Sequence, residues 1–229
     1  MKSIAVFNNK GGVGKSTLAY HLAYSLSELG KRTLLLDLDP QSNVTLFGQS
    51  EEQLDAIWSS EEPFIDDFAR AKANCTEAEF AALIRKNHSI HFLLKPTEDG
   101  ASELPAPPPP IWINANLGLI PGRLSLHMFE DRVGARWSDA YRGDPLAVRT
   151  ASRIRSICET YADIHKFDFV IADTSPSLGI LNKVVISTMT GFVIPCGPDI
   201  FSIYGIRNIG RALSRWKHEF ATLYALRNR

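Results

Sequence analysis

The chain has 229 residues, of which 45% are hydrophobic, and its 25 basic residues balance its 25 acidic residues. This length and apolar content suffice for one sizeable core, so a single domain over residues 1–229 is expected. A formal net charge of zero gives the chain as a whole no electrostatic attraction to nucleic acid or acidic membranes, so any such attraction must come from a local basic patch.

The N-terminal sequence and the cysteines predict a cytoplasmic protein. Met1 leads directly into the strand-like residues 3–7, without the charged region, apolar stretch and cleavage site of a signal peptide. No apolar run approaches the ~18 residues that a membrane span needs, so no membrane partner is expected. The cysteines are too widely spaced for a zinc site or a disulfide framework, and we expect unpaired thiols at Cys75, Cys158 and Cys196.

The first forty residues predict one strand–helix–strand unit. Residues 4–7 are a short apolar run, as expected of a strand covered on both faces. After a glycine-rich turn, residues 16–29 carry leucines at helical spacing, and Gly30 ends that helix. Residues 33–36 form a second buried strand, which leads into Asp37.

Residues 48–114 break this pattern and are predicted to form an irregular insertion outside the sheet. A capping box of Thr76 and Glu79 predicts one short helix, and residues 90–94 favour a strand. Residues 101–110 contain five prolines, four of them consecutive, which predict a stiff exposed loop because such a run can continue neither a helix nor a sheet interior.

A regular pattern resumes in the second half of the chain. Further strands are predicted at 116–120, 168–173 and 192–195. Helices are predicted at 149–165, 178–189 and 203–226. Strands that alternate with helices predict an α/β fold, with a mostly parallel sheet and helices on both of its faces.

The turn at residues 10–17 follows a predicted strand and opens a predicted helix, which is the setting that a phosphate-binding loop requires. Its glycines allow backbone N–H groups to point at phosphate oxygens, and the helix start adds a partial positive charge. Lys15 supplies a full charge to the β- and γ-phosphates, and the Ser16 hydroxyl is placed to bind Mg²⁺. We therefore expect a P-loop NTPase that binds ATP and Mg²⁺ through Lys10, Gly11, Gly12, Val13, Gly14, Lys15, Ser16 and Thr17.

One departure from the ordinary P-loop is informative: Asn9 replaces the first glycine, and a second lysine, Lys10, precedes the glycine run. This string resembles the deviant Walker A motif, KGGxGK[ST], of the ParA/MinD family. Residues 36–43 (LDLDPQSN) resemble the D-x-D-P-Q-x-N stretch of the ParA branch, and residues 167–179 (FDFVIADTSPSLG) resemble the family's Walker B strand. The similarity leaves residues 48–114 outside.

The resemblance implies a role for each matching residue. Lys10 corresponds to the signature lysine that reaches the nucleotide of a partner subunit. Lys10 and Lys15 are both expected to be catalytic. Asp39 corresponds to the carboxylate that positions the attacking water. Asp37 and Asp173, together with the Ser16 hydroxyl, are expected near Mg²⁺. Carboxylates at two strand ends suit phosphoryl transfer, which depends on positioning and charge neutralisation.

The resemblance also implies partners: a homodimer on ATP binding and a ParB-like protein that stimulates hydrolysis. Non-specific DNA is a further candidate partner, because the helix predicted at residues 203–226 would place basic residues four apart on one face. The alternative is that this basic helix face is only exposed to solvent and binds no DNA. The basic C-terminal residues are Arg207, Arg211, Arg215, Lys217, Arg227 and Arg229.

Two functions follow from the resemblance. The first is a ParA-like ATPase whose ATP-dependent dimer drives the partitioning of plasmid or chromosomal DNA. The second is a ParA-like ATPase that positions or regulates a protein assembly without binding DNA. A phosphotransferase or synthase on the same fold is a more distant alternative, because the sequence offers no recognisable acceptor site.

Overall fold

Strands and helices alternate along residues 1–227, the part of the chain that the computed structural model describes. The strands are β1 (Lys2–Val6), β2 (Thr33–Leu38), β3 (Ile111–Asn114), β4 (Leu117–Ile120), β5 (Phe169–Thr174) and β6 (Gly191–Val193). The helices are α1 (Lys15–Glu28), α2 (Asn43–Gly48), α3 (Glu51–Asp66), α4 (Phe68–Ala73), α5 (Glu77–Leu83), α6 (Ile90–Glu98), α7 (Leu126–Tyr141), α8 (Pro145–His165), α9 (Ile180–Thr188) and α10 (Ile200–Arg227).

The strands form one sheet in the order β3-β4-β2-β5-β1-β6. Every neighbouring pair is parallel except the edge pair β3–β4, which is antiparallel. The predicted α/β fold with a mostly parallel sheet is therefore confirmed. Because β5 lies between β1 and β2, the carboxyl ends of these three strands meet at one edge of the sheet.

Helices cover both faces of the sheet, which explains why β2 is buried along its whole length. On one face, α1 packs Ala19 and Ala23 against Leu35. On the other face, Leu34 belongs to a larger core that includes side chains of α6, α7, α8 and α9, among them Phe129. The alternation of Leu34 and Leu35 between the two cores follows from the two-residue period of a strand.

The segment 48–114 is mostly helical, with α3 to α6 following one another along it. The predicted capping box of Thr76 and Glu79 is confirmed at the start of α5. The predicted strand at 90–94 is wrong: these residues begin α6, whose first turn is capped by the Ser89 hydroxyl. A run that is apolar at every position but one has no period to separate strand from helix, and α6 is buried on all sides.

The end of this segment joins the sheet, which corrects the expectation that the insertion lies outside it. β3 pairs with β4 as the antiparallel edge strand. The proline-rich stretch before β3 is a loop, as predicted, and side chains of the helical layer hold it. The Tyr161 hydroxyl donates to the Pro108 carbonyl at 2.5 Å, and the Asn87 amide donates to the Pro109 carbonyl at 3.1 Å.

The expectations about the cysteines and about membrane spans concern features that the structure describes. Cys75, Cys158 and Cys196 are all free thiols. Among residues 1–227, no helix combines the length and apolar character that crossing a membrane requires.

Candidate nucleotide-binding site

The candidate site lies where β1, β2 and β5 end side by side. In the sheet register, Asp173 of β5 stands between Val6 of β1 and Asp37 of β2. The loop after β1 is the predicted P-loop, and the turn after β2 carries Asp39. The topology therefore brings the phosphate-binding turn and all three predicted carboxylates to one edge of the sheet.

The P-loop has the backbone conformation that its glycines permit. Gly12 and Gly14 adopt positive φ angles of 71° and 80°, a region that residues with a side chain rarely occupy. A Cβ atom built on Gly11, Gly12 or Gly14 would meet no atom within 4 Å, so space is open beside the loop. α1 begins at Lys15 without a side-chain cap, which leaves its first N–H groups available to an anion.

Asn8 fixes the start of this loop, and the sequence analysis did not identify it. The Asn8 side chain accepts a hydrogen bond from the Lys10 N–H at 3.0 Å and donates to the Pro195 carbonyl at 2.7 Å. It thereby ties the P-loop to the segment between β6 and α10. A polar residue directly after a buried strand was the only available sign of this role.

Asp173 is the most exceptional carboxylate of the site. It is fully buried, and neither of its oxygens accepts a well-formed hydrogen bond in the described part of the chain, although the Ser16 hydroxyl and the Thr174 N–H lie close by. Burial raises its pKa to about 6; the nearby Ser16 hydroxyl and the Lys15 ammonium lower it, while Asp39 raises it further. A buried, unpartnered carboxylate is costly unless a cation or donor completes it.

Lys15, Ser16 and Asp173 form a donor set that fits Mg²⁺ bound together with phosphate. Lys15 is itself buried, which is rare for a lysine, and its ammonium lies near the Asp173 carboxylate. Residues 1–227 hold no cluster of three or more His, Cys, Asp or Glu side chains suited to a metal. Mg²⁺ does not need one, because it is usually bound by one or two carboxylates, water and substrate phosphates.

Asp37 is also fully buried, but its oxygens are occupied. Oδ2 accepts hydrogen bonds from the Thr45 hydroxyl at 2.6 Å and the Thr45 N–H at 2.9 Å, and Oδ1 accepts from the Asp39 N–H at 3.2 Å. Burial raises the pKa of Asp37 to about 7; the Thr45 hydroxyl opposes this shift, and the neighbouring Asp173 adds to it. Three of about four acceptor positions are taken, so Asp37 is less open to a metal than Asp173.

Asp39 lies in a tight turn directly after β2 and is buried. Its Oδ1 accepts from the Gln41 N–H at 3.0 Å, and its carbonyl accepts from the Ser42 N–H at 2.8 Å. Ser42 has a left-handed φ of 54°. Asp39 is close enough to Asp173 to raise the pKa of that carboxyl, so the predicted water-positioning and metal-facing carboxylates are neighbours.

Lys10 makes an ion pair within its own chain. Its Nζ lies 3.2 Å from Asp199 Oδ2 and 3.3 Å from Oδ1, and both side chains are about 40% exposed (41% and 40%). Asp199 in turn accepts from the hydroxyl and the N–H of Ser202, which, with Lys10, lower its pKa to about 2. No local sequence pattern indicates this pair, because its two residues are 189 positions apart.

Helix α3 is hydrogen-bonded to the turn that follows β4, next to the site. Trp58 of α3 donates its indole N–H to the Gly122 carbonyl at 3.1 Å. Arg123, in the same turn after β4, donates to the Trp58 carbonyl at 2.7 Å and pairs with Glu61 and Glu62. The turn that contacts Thr45 is therefore anchored by α3.

A family model described as an AAA domain matches residues 1–94 and 114–223. The chain belongs to this family. Relatives named ParA or Soj mark the chain as ParA/MinD-like within the P-loop ATPase family. The match includes residues 48–94, which the quoted motifs did not cover, and it leaves out residues 95–113 and 224–229.

Individual relatives agree with this assignment. The ParA/MinD-like chain is 32% identical over 209 residues to an uncharacterized protein of Methanocaldococcus jannaschii, covering 90% of this chain and 63% of that one. It is 29% identical over 210 residues to the chromosome-partitioning ATPase Soj of Thermus thermophilus, covering 91% and 60%. A crystal structure of a Corynebacterium diphtheriae protein matches with a TM-score of 0.80 and 27% identity, covering 99% of this chain and 68% of that one.

The chain thus spans less than two thirds of the length of the first curated relatives that it matches, between 42% and 63% of them for the first three. The nucleotide-site elements β1, α1, β2 and β5 fall inside the family match.

Proposed function

We propose that this chain is a Mg²⁺-dependent ATPase whose ATP-bound form dimerises. The observation that carries the proposal is the buried Asp173 carboxylate, whose oxygens accept no well-formed hydrogen bond among the described residues and which lies near Lys15 and Ser16 beside an open phosphate-binding loop. An arrangement with one cation and one unpaired anion is complementary to a phosphate–metal pair.

Each residue of the site has a distinct task in this proposal. The N–H groups of the P-loop and the Lys15 ammonium hold the β- and γ-phosphates. Ser16 and Asp173 would hold Mg²⁺, which neutralises phosphate charge when bound. Asp39 orients the attacking water. Asp37 is the third residue predicted near Mg²⁺, and it keeps one acceptor position free for the metal.

Asp39→Ala tests the division of labour. We expect Mg-ATP affinity within about threefold of the parent and phosphate release at least about a hundredfold slower, because Asp39 acts on the water and not on the nucleotide. Binding of a fluorescent ATP analogue and steady-state phosphate release are the measurements. Asp66→Ala, which removes an exposed carboxylate at the end of α3, is the control. Parent-like hydrolysis by Asp39→Ala would contradict the assigned role.

We further propose that the dimer acts in the partitioning of DNA, the activity named for the Thermus relative, with a ParB-like protein as activator. Support comes from α10, on which Arg207, Arg211 and Arg215 are exposed four residues apart, with Lys217 also exposed. Aligned cations suit the phosphate backbone of non-specific DNA. Arg229, part of the predicted basic segment, lies outside the described residues.

Replacing Arg207, Arg211 and Arg215 together by Gln tests this surface. We expect ATP-dependent DNA retention to weaken, and the slope of log affinity against log salt to flatten by up to about 3, because each phosphate contact contributes about one counterion. The control replaces three exposed arginines elsewhere, Arg70, Arg85 and Arg142, with the same change in net charge. Equal retention by both triple variants would favour the alternative function, a protein assembly positioned without DNA.

A further inference from the structure

Thr45, in the first turn of α2, is fully buried, and its hydroxyl both donates one hydrogen bond and accepts another. The Thr45 N–H and the hydroxyl both donate to Asp37 Oδ2, at 2.9 and 2.6 Å. The Gly122 N–H donates to the same hydroxyl at 2.7 Å. None of the motifs that identify the site includes Thr45.

The bond from Gly122 determines where the hydroxyl proton of Thr45 points. A hydroxyl has one proton, and a carboxylate can only accept. Since the Gly122 N–H occupies an acceptor position of the hydroxyl, the proton is directed at Asp37. The two donors of Thr45 therefore hold one carboxylate oxygen in a single orientation, and charge-assisted bonds of this length are strong.

The other oxygen of Asp37 holds the backbone of Asp39, whose N–H donates to Oδ1 at 3.2 Å. A continuous chain of hydrogen bonds thus runs from Gly122 through Thr45 and Asp37 to Asp39. We propose that Thr45 is a positioning residue for ATP hydrolysis, which orients Asp37 and through it fixes the place of Asp39. This inference rests on the proposed function, because it concerns the residue assigned to the attacking water.

Gly122 supports the same arrangement by its lack of a side chain. A Cβ atom at this position would lie 2.7 Å from the Ser42 hydroxyl and 2.9 Å from Asp37 Cγ, so an added methyl group must displace one of them. The Gly122 carbonyl is held by Trp58 of α3. Thr45 and Gly122 therefore confine Asp37 from two sides, and each can be altered separately.

Thr45→Val keeps the shape of the side chain and removes the hydroxyl. We expect kcat to fall by about tenfold to a hundredfold, because small displacements of a positioning group have effects of this size, while the Kd for Mg-ATP stays within about threefold. Thr45→Ser restores the hydroxyl and is expected to restore most of kcat. Thr150→Val, which removes an equally buried hydroxyl on α8, is the matched control and is expected to leave kcat unchanged.

A second measurement is independent of turnover: the hydrogen-exchange rate of the Asp39 amide, followed by NMR. Exchange is expected to be about tenfold or more faster in Thr45→Val than in the parent, and close to the parent rate in Thr45→Ser. If the parent does not hydrolyse ATP, the proposed function fails, and this amide still decides the positioning role. Unchanged Asp39 exchange in Thr45→Val would then reject that role.

Gly122→Ala carries the test if Thr45→Val does not fold. It keeps every hydrogen-bonding group and moves Asp37 or Ser42, so the same loss of kcat at nearly constant Kd is expected. A folded Thr45→Val or Gly122→Ala enzyme with the parent's kcat would overturn the inference. So would a Thr45→Ser enzyme as slow as Thr45→Val, because the hydroxyl would then not be the group that matters.

Discussion

Lys15→Ala is expected to abolish ATP hydrolysis and to weaken Mg-ATP binding by about a hundredfold, which corresponds to about 3 kcal/mol. Lys15 is buried at the start of α1, and Asp173 is close enough for the ammonium to lower the pKa of that carboxyl. Without the ammonium, the terminal phosphates lose their only buried cation on the P-loop, and Asp173 loses a favourable charge. Isothermal titration with Mg-ATP and phosphate-release assays measure the two effects.

Lys31→Ala is the matched control for this experiment, because Lys31 is an exposed lysine just beyond the end of α1. It removes the same charge from the chain without touching the phosphate-binding loop, so binding and turnover are expected to stay at the parent level. Tight Mg-ATP binding by Lys15→Ala, at the parent's affinity, would show that the nucleotide does not occupy the P-loop.

Lys10→Ala is expected to keep ATP binding by the single chain and to lose ATP-dependent dimerisation. Within one chain Lys10 pairs with Asp199, and because both side chains are substantially exposed, screening by water keeps this ion pair weak. A phosphate group of a second subunit's nucleotide can therefore replace Asp199 at low cost. Light scattering with ATP, in the Asp39→Ala background that prevents turnover, compares the double variant with Asp39→Ala alone.

Asp199→Asn distinguishes the ion pair that Lys10 makes within its own chain from its proposed contact with the partner subunit's nucleotide. If Lys10 acts on the partner's nucleotide, Asp199→Asn in the same Asp39→Ala background releases it and should dimerise at equal or lower ATP concentration. If the ion pair within the chain is what supports the dimer, Asp199→Asn should fail together with Lys10→Ala. Dimerisation of the Lys10→Ala, Asp39→Ala variant as strong as that of Asp39→Ala would exclude the cross-subunit role.

The expectations that depended on local sequence agree best with the structure. The strand before the P-loop, the glycine turn and the helix after it are adjacent in sequence, so spacing and residue type suffice to predict them. The capping box of Thr76 and Glu79 succeeded for the same reason, since its hydrogen bonds join residues three apart. The family match agrees with the motifs that these local patterns contain.

The secondary structure of residues 48–114 is hard to predict from sequence, because its hydrophobic patterns are ambiguous or depend on distant partners. Residues 90–94 are apolar at every position but His91, and burial on all sides makes such a run compatible with a helix as well as a strand. β3 is a short edge strand whose assignment depends on β4, its partner across the sheet. Its four residues carry too little pattern to predict pairing alone.

The fold class, the phosphate-binding loop and the positions at which carboxylates follow strands are predictable from the amino-acid sequence, because each depends on residues that are neighbours along the chain. The differences between those carboxylates arise only in the folded chain. Asp37 and Asp173 each lie one residue before the end of a buried strand. Thr45 and the Asp39 N–H occupy the two oxygens of Asp37, whereas neither oxygen of Asp173 accepts a well-formed hydrogen bond in residues 1–227. The Lys10–Asp199 pair and the Gly122–Thr45 bond likewise join distant segments. Such contacts are created by the order of strands in the sheet, which the linear spacing of residues does not encode.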